Sequence, residues 1–169
     1  MKSITIRRSN KKNIAYVNYE KIKNLCYVGK NGIGIKKREG DFTTPKGVFR
    51  LKQIFIRKDR VPNIKSGLPI VEIKRSNIWC VDPRKNKYNS FLYHKKKCLH
   101  EEMFREDSAY DIVITTSFNI NPSLKYKGSA IFIHCINKNK FTEGCIAMKK
   151  KDIIELLPKL SPLSFLSIR

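Results

Sequence analysis

The sequence predicts a mainly β protein with two short helices. Its apolar residues occur in short runs rich in Ile, Val, Tyr and Phe, and Gly, Pro and Asn separate these runs. β-Branched and aromatic residues favour strands, and the separating residues are typical of turns. Helical spacing of apolar residues is confined to two segments, which indicates little helix.

Strand candidates occur along most of the chain. They are 3–6, 14–17, 25–28, 48–51, 52–57, 69–74, 79–81, 111–116 and 129–134. A turn-rich stretch at 29–34 follows the third candidate, and Pro45 and Gly47 predict a turn before the fourth. The segment 129–134 is apolar almost throughout, which is typical of a strand buried on both faces.

The two helix predictions rest on spacing and capping. Leu99, Met103 and Phe104 lie at helical spacing and predict a helix over 99–110. Asp152 is followed three residues later by Glu155, the pattern of a capping box, and predicts a helix that begins there.

Length and composition exclude several classes of protein. A chain of 169 residues fits one domain, residues 1–169, and 41% hydrophobic residues argue against a disordered chain. No apolar run approaches the roughly 20 residues of a membrane-spanning helix. The basic first residues are not followed by an apolar segment, so no signal peptide is evident and a cytoplasmic location stays open.

The net charge of +22, from 36 Lys and Arg against 14 Asp and Glu, predicts attraction to anionic partners. An anionic wall polymer or membrane surface and a nucleic acid are the alternatives, and a bias toward Lys, Ile and Asn explains the same charge without a function. Because no nucleic-acid-binding motif is present, no specific nucleic acid is expected. Oligomeric state is not indicated.

The five cysteines are odd in number and form no C-x-x-C pair. This pattern argues against a disulfide framework and against a compact zinc site, so we expect no metal and no cofactor. An unpaired Cys in a chain with three His residues raises the question of a nucleophile instead.

His134 ends an apolar strand candidate. Cys145 lies eleven residues after His134 and directly follows Gly144. A loop of this length can bring thiol and imidazole together, so that the ring takes the thiol proton and the sulfur attacks a carbonyl. Gly144 permits a sharp turn, and the N–H groups of Gly144 and Cys145 are candidates for stabilising an oxyanion. A structural His and a packed Cys are the alternative interpretation.

These residues resemble the catalytic motif of the YkuD-type L,D-transpeptidase family. The similarity is greatest to members that read GSAIFLH followed by T-x-G-C-[IV]-A-[LM]. Further segments match in the family's order, and the matching segments are 38–47, 79–83, 88–89, 110–114, 128–134 and 142–148. One such motif is weak, but the ordered set is specific.

The resemblance implies a β-sandwich fold with the active Cys at its mouth. It assigns the nucleophile to Cys145, the base to His134, and orientation of the imidazole to the main-chain carbonyl of Cys135. The implied substrates are peptidoglycan stem peptides. The thiolate attacks the carbonyl of the L-centre of the third residue, D-alanine leaves, and an amine resolves the acyl-enzyme; resolution by water instead would make the protein an L,D-carboxypeptidase. The implied location is the cell envelope, and the family is a target of carbapenems.

Two positions depart from the best-known members of that family. Glu143 replaces a His, and its negative charge by itself raises the pKa of a neighbouring thiol. Ala147 replaces an Arg, so recognition of a substrate carboxylate falls to another cation, with Lys149, Lys150 and Arg84 as candidates.

The remaining candidates for substrate contact lie around the nucleophile and in the middle segment. They are Thr142, Glu143, Trp79, Asp82, Arg84 and Tyr88. For the middle segment a turn held by side-chain hydrogen bonds is the alternative, and a lone Trp is more often a core residue. Glu101 and Glu102 fall on the predicted helix and are expected on a solvated face.

Overall fold

A computed structural model describes residues 3–20, 22–61 and 63–169. Strands account for 37% of the chain and helix for 8%, which confirms the predicted mainly β class. The strands in the described ranges are β1 (Ser3–Arg8), β2 (Ile14–Tyr19), β3 (Ile22–Tyr27), β4 (Ile33–Gly34), β5 (Thr44–Pro45), β6 (Gly47–Ile56), β7 (Ile70–Glu72), β8 (Ile78–Cys80), β9 (Ser90–Leu92), β10 (His100–Glu102), β11 (Ile112–Thr116), β12 (Phe132–Cys135), β13 (Ile146–Met148) and β14 (Phe165–Ile168). The helix α1 spans Lys150–Leu156, and 3₁₀ turns span Ser108–Tyr110 and Leu157–Lys159.

The largest sheet closes on itself. Its strands run in the order β11-β12-β13-β3-β2-β1-β14-β6-β7, and β6 also pairs with β11. Closure is possible because β6 is long: its first half, Gly47–Arg50, pairs with β14, and its second half, Leu51–Ile56, pairs with β11. The predicted β-sandwich therefore has the connectivity of a barrel.

Two apolar clusters fill the molecule. The larger contains Ile4, Ile54, Ile133 and Leu166, and the smaller contains Phe55, Trp79, Tyr110 and Phe132. Successive residues of β12 point to opposite faces, so Phe132 enters the smaller cluster and Ile133 the larger. β12 is buried along its whole length, as its apolar sequence predicts.

The helix predicted over 99–110 is wrong. Residues His100–Glu102 form β10, which pairs antiparallel with β8, and only Ser108–Tyr110 form a 3₁₀ turn. The apolar residues with helical spacing have separate partners: Met103 is fully buried, and Phe104 lies under Arg57, whose guanidinium carbon is 3.4 Å from the ring centroid. Pairing with β8 satisfies the backbone of this segment, and local spacing does not report that pairing.

The C-terminal helix is present, but its predicted start is wrong. α1 begins at Lys150, and Lys149 precedes it without a side-chain cap. Asp152 lies inside the first turn, where its negative charge faces the positive end of the helix dipole. No helix within the described ranges has the length and apolar content needed to cross a membrane.

Candidate active site

His134 and Cys145 are brought together by two neighbouring parallel strands. Strand β12 pairs with β13 so that Ile133 lies beside Ile146 and His134 beside Ala147. Because side chains alternate along a strand, His134 shares a face with Ala147 and with Cys145, two residues before Ala147. The strand pairing therefore directs both side chains toward the smaller apolar cluster.

The thiol of Cys145 has two backbone partners. Its S–H donates to the carbonyl oxygen of Ala130 at 2.9 Å, and the N–H of Phe132 donates to the sulfur at 3.3 Å. Burial raises the pKa of Cys145 well above its usual range, and the negative charges of Glu101 and Glu143 raise it further. The N–H of Phe132 and the ammonium of Lys36 act in the opposite direction. The resting side chain is therefore a neutral thiol.

The imidazole of His134 is held in one orientation. Its Nδ1 lies 2.9 Å from the carbonyl oxygen of Cys135, and because a carbonyl only accepts, Nδ1 carries the proton. The ring of Tyr110 packs edge-on against it with centroids 5.6 Å apart. Burial lowers the pKa of His134 to about 4, so the ring is neutral at pH 7 and its Nε2 lone pair is available as a base.

His134 and Cys145 line one cavity of about 320 Å³. Its other walls include Arg105, Tyr110, Thr142 and Glu101. Within the described part of the chain no hydrogen bond joins the thiol to the imidazole, since the thiol proton is directed at Ala130. Proton transfer from sulfur to nitrogen therefore requires that the S–H turn from the Ala130 carbonyl toward the cavity.

A tight turn before Cys145 fixes the position of the sulfur. The hydroxyl of Thr142 accepts the N–H of Gly144 at 3.1 Å and donates to the carbonyl of Cys145 at 2.6 Å. Gly144 has φ +150°, and a Cβ there would lie 3.0 Å from the carbonyl oxygen of Thr43. Because Thr142 already holds the N–H of Gly144, that group is not the free oxyanion donor expected from the sequence.

The segment 79–89 contacts the residues that hold the thiol of Cys145. The indole N–H of Trp79 and the N–H of Ala130 both donate to Asn89 Oδ1, each at 3.0 Å. Ala130 in turn accepts the thiol of Cys145 and has φ +51°. Trp79 is buried against Phe132, with ring centroids 4.8 Å apart, so it is a core residue and has no face open to a substrate.

Asp82, Arg84 and Tyr88 also lie outside the cavity of Cys145. Asp82 is fully buried and accepts Nε of Arg84 at 2.8 Å, and this guanidinium keeps the pKa of Asp82 far below its usual range. Tyr88 is buried and donates to Glu39 Oε2 at 3.0 Å. The predicted residues that the structure brings together are therefore His134, Cys145, Thr142 and Glu143.

Several residues of the cavity were not identified as site residues from the sequence, and Glu101, Arg105 and Tyr110 are the ionisable ones among them. The hydroxyl of Tyr110 donates to Glu101 Oε2, and burial raises the pKa of Glu101. Arg105 lies over the ring of Tyr110 and binds both oxygens of Asp107. The helix predicted over 99–110 did not place these residues near Cys145. In the structure this segment is a strand and a loop, and it lines the cavity.

Among the described residues that line the cavity, Arg105 supplies a guanidinium, which the Ala at position 147 does not. Of the replacements considered from the sequence, Lys150 binds Asp111 at 2.9 Å and Arg84 binds Asp82, both away from the cavity. No cluster of three or more potential metal ligands occurs among the described residues.

Comparison with protein families gives one assignment. The model of the YkuD family, the L,D-transpeptidase catalytic domain, matches residues 1–163. The match covers nearly the whole chain, so the chain belongs to this family. Searches of curated proteins and of solved structures gave no match.

Proposed function

We propose that this member of the YkuD family is a cysteine-dependent L,D-transpeptidase that acts on peptidoglycan stem peptides. The family implies such substrates. The observation that carries the proposal is the shared cavity of His134 and Cys145, in which the Cys135 carbonyl holds the ring in the tautomer that a base needs.

The first half-reaction forms a thioester. His134 Nε2 takes the proton of Cys145 while the sulfur attacks the carbonyl of the L-centre of the third stem residue. The resulting imidazolium then gives this proton to the amine of D-alanine as the C–N bond breaks. Since Thr142 holds the N–H of Gly144, the N–H of Cys145 is the proposed donor to the oxyanion.

The second half-reaction distinguishes transfer from hydrolysis. Glu101 and Glu143 line the cavity beside Cys145, and negative charge there attracts the cationic amine of a second stem peptide in preference to water. After this amine has lost its ammonium proton to solvent, it attacks the thioester, and His134 Nε2 takes a second proton as the C–N bond forms. The imidazolium returns that proton to the Cys145 sulfur as the C–S bond breaks. Incubation of a purified tetrapeptide with and without an amine acceptor should give a cross-linked product in the first case; trimmed tripeptide in both cases would identify an L,D-carboxypeptidase.

Acylation by a carbapenem tests the nucleophile. Intact-mass measurement should show one adduct on the wild-type protein and none on Cys145→Ala, because only the activated sulfur opens the β-lactam ring. Cys98→Ala is the matched control, since Cys98 is a half-buried thiol outside the cavity, and it should keep the adduct. An adduct that persists on Cys145→Ala contradicts the assignment.

The substrate places the proposed activity in the cell envelope. The net charge of +22 would hold the protein near anionic wall polymers or membrane surfaces. Binding to DNA or RNA is the alternative of another class, and strong salt dependence of that binding would be its mark.

A further inference from the structure

A basic cavity lies apart from the proposed active site. It has a volume of about 600 Å³ and shares no lining residue with the cavity of His134 and Cys145. Its cationic residues are Arg84, Lys85, Lys87, Lys96 and Lys97. Small-molecule sites in proteins have volumes of roughly 300–1,000 Å³, so the size suits a compact ligand.

The charged side chains of this cavity are all of one sign. Five of its nine lining residues are cationic, and none of the described residues that line it is a carboxylate. An adjoining cavity of about 570 Å³ shares four of the five and adds Asp82 as its carboxylate. Asp82 is fully buried and already bound by Arg84, so it leaves the four lysines uncompensated within the two cavities.

The clustered lysines of this cavity favour the binding of an anion. Like charges gathered in one concavity repel one another, and an anion that enters relieves that repulsion. A single carboxylate carries too little charge for four lysines, whereas linked phosphates carry several charges in a small volume. Lysine ammonium groups bind phosphate oxygens as point charges.

We propose that this cavity, named the basic cavity, binds a compact polyanion with two or more linked phosphates. Such a group occurs in phosphate-containing polymers and in soluble polyphosphates. Because the site is concave, a small ligand that enters it is a better fit than a flat membrane surface. The proposal is independent of the chemistry at Cys145.

Cys98 lines the basic cavity and supplies a native reporter. Alkylation of Cys98 by iodoacetamide is followed by peptide mass spectrometry, with inorganic triphosphate as the probe. Triphosphate should slow the modification of Cys98 in a saturable manner and leave that of Cys145 unchanged, because Cys98 lines the basic cavity and Cys145 does not. The ratio of the rates with and without triphosphate is compared within each variant, since nearby lysines also affect the thiol itself.

The variant K87Q/K96Q/K97Q removes three charges from the basic cavity. All three side chains belong to exposed residues, so the fold should persist. Triphosphate should then protect Cys98 with an affinity at least about tenfold weaker, because three of the cations that would bind its oxygens are gone. The matched control is K11Q/K12Q/K140Q, which removes equal charge from another exposed group and should retain the affinity of the wild-type protein.

Three results would overturn the proposal. Equal weakening by both triple variants would show that overall charge, and no particular site, holds the anion. Absence of protection by triphosphate would show that the cavity does not bind linked phosphates. Protection by phosphatidylglycerol vesicles without protection by triphosphate would show that the surface contacts a membrane instead.

Discussion

The sulfur of Cys145 lies among charges of both signs. Glu101 and Glu143 disfavour its thiolate, and Lys36 favours it. The ammonium of Lys36 is almost fully buried, binds Asp41 at 2.8 Å, and would lie 3.3 Å from a Cβ on Gly144. Lys36 is therefore a positioning residue whose fixed charge acts on the Cys145 pKa in the direction opposite to the two carboxylates.

Replacement of Lys36 by Met should slow alkylation of Cys145. The Lys36 charge lowers the pKa of the Cys145 thiol, so its loss should raise that pKa and reduce the thiolate fraction at pH 8. The rate of iodoacetamide modification of Cys145 measures this directly. Lys37→Met removes the same charge from an exposed neighbour and should change the rate little. Equal rates for wild type and Lys36→Met would remove Lys36 from the account.

His134 should make the stability of the protein depend on pH. Its pKa is about 4 in the folded state and 6.5 ordinarily, so the unfolded chain binds a proton that the folded chain excludes between these values. Relative to His134→Gln, the wild type should lose up to about 3 kcal/mol of unfolding free energy as pH falls from 7.5 to 4. Urea unfolding at several pH values measures the difference, in which titration of the carboxylates cancels. Parallel curves for the two proteins would contradict a buried neutral imidazole.

At the scale of elements, the turn between β12 and β13 decides where the sulfur lies. Thr142→Val keeps the shape of the side chain and removes both hydrogen bonds of its hydroxyl. We expect a loss of about 1–3 kcal/mol in unfolding free energy and slower carbapenem acylation of Cys145.

The control for the turn is Thr115→Val. Thr115 is also buried and donates to the carbonyl of Gln53 at 3.2 Å, in the pairing of β6 with β11. It should lose stability but acylate at the rate of the wild type. If Thr142→Val also acylates at that rate, the turn does not position the nucleophile.

Elements with a strong local pattern were predictable, and those defined by long-range pairing were not. The apolar segment 129–134 predicted β12, although the strand itself spans Phe132–Cys135. The strand β14 (Phe165–Ile168) has no local signal that separates it from a loop, because its place between β1 and β6 depends on partners far away in the chain. The same cause made β10 look like a helix.

At the scale of the whole molecule, β14 joins the two ends of the chain. It pairs parallel with β1 and antiparallel with β6, and so completes the closed sheet. Leu166→Ala empties a fully buried position of the larger cluster and should cost about 2–5 kcal/mol of unfolding free energy. Leu163→Ala, at a position that is 65% exposed, should cost little. Equal costs in urea unfolding would contradict the packing of β14 into the larger cluster.

The mainly β class could be predicted from composition and pattern, but the closure of the sheet could not. For the site, the sequence spacing of His134 and Cys145 suggested a pair, while their shared face depends on the register of β12 with β13. Glu101, Arg105 and Tyr110 reach the cavity from a different part of the chain. Such contacts depend on the tertiary fold, and a single sequence does not encode them in a local pattern.

The most direct test of the account is the acyl-enzyme itself. The protein is incubated with a stem tetrapeptide, quenched in acid, digested, and examined by tandem mass spectrometry. The account predicts a tripeptidyl thioester on Cys145, release of free D-alanine, and neither product with Cys145→Ala. Release of D-alanine by Cys145→Ala, or a thioester on another cysteine, would contradict it.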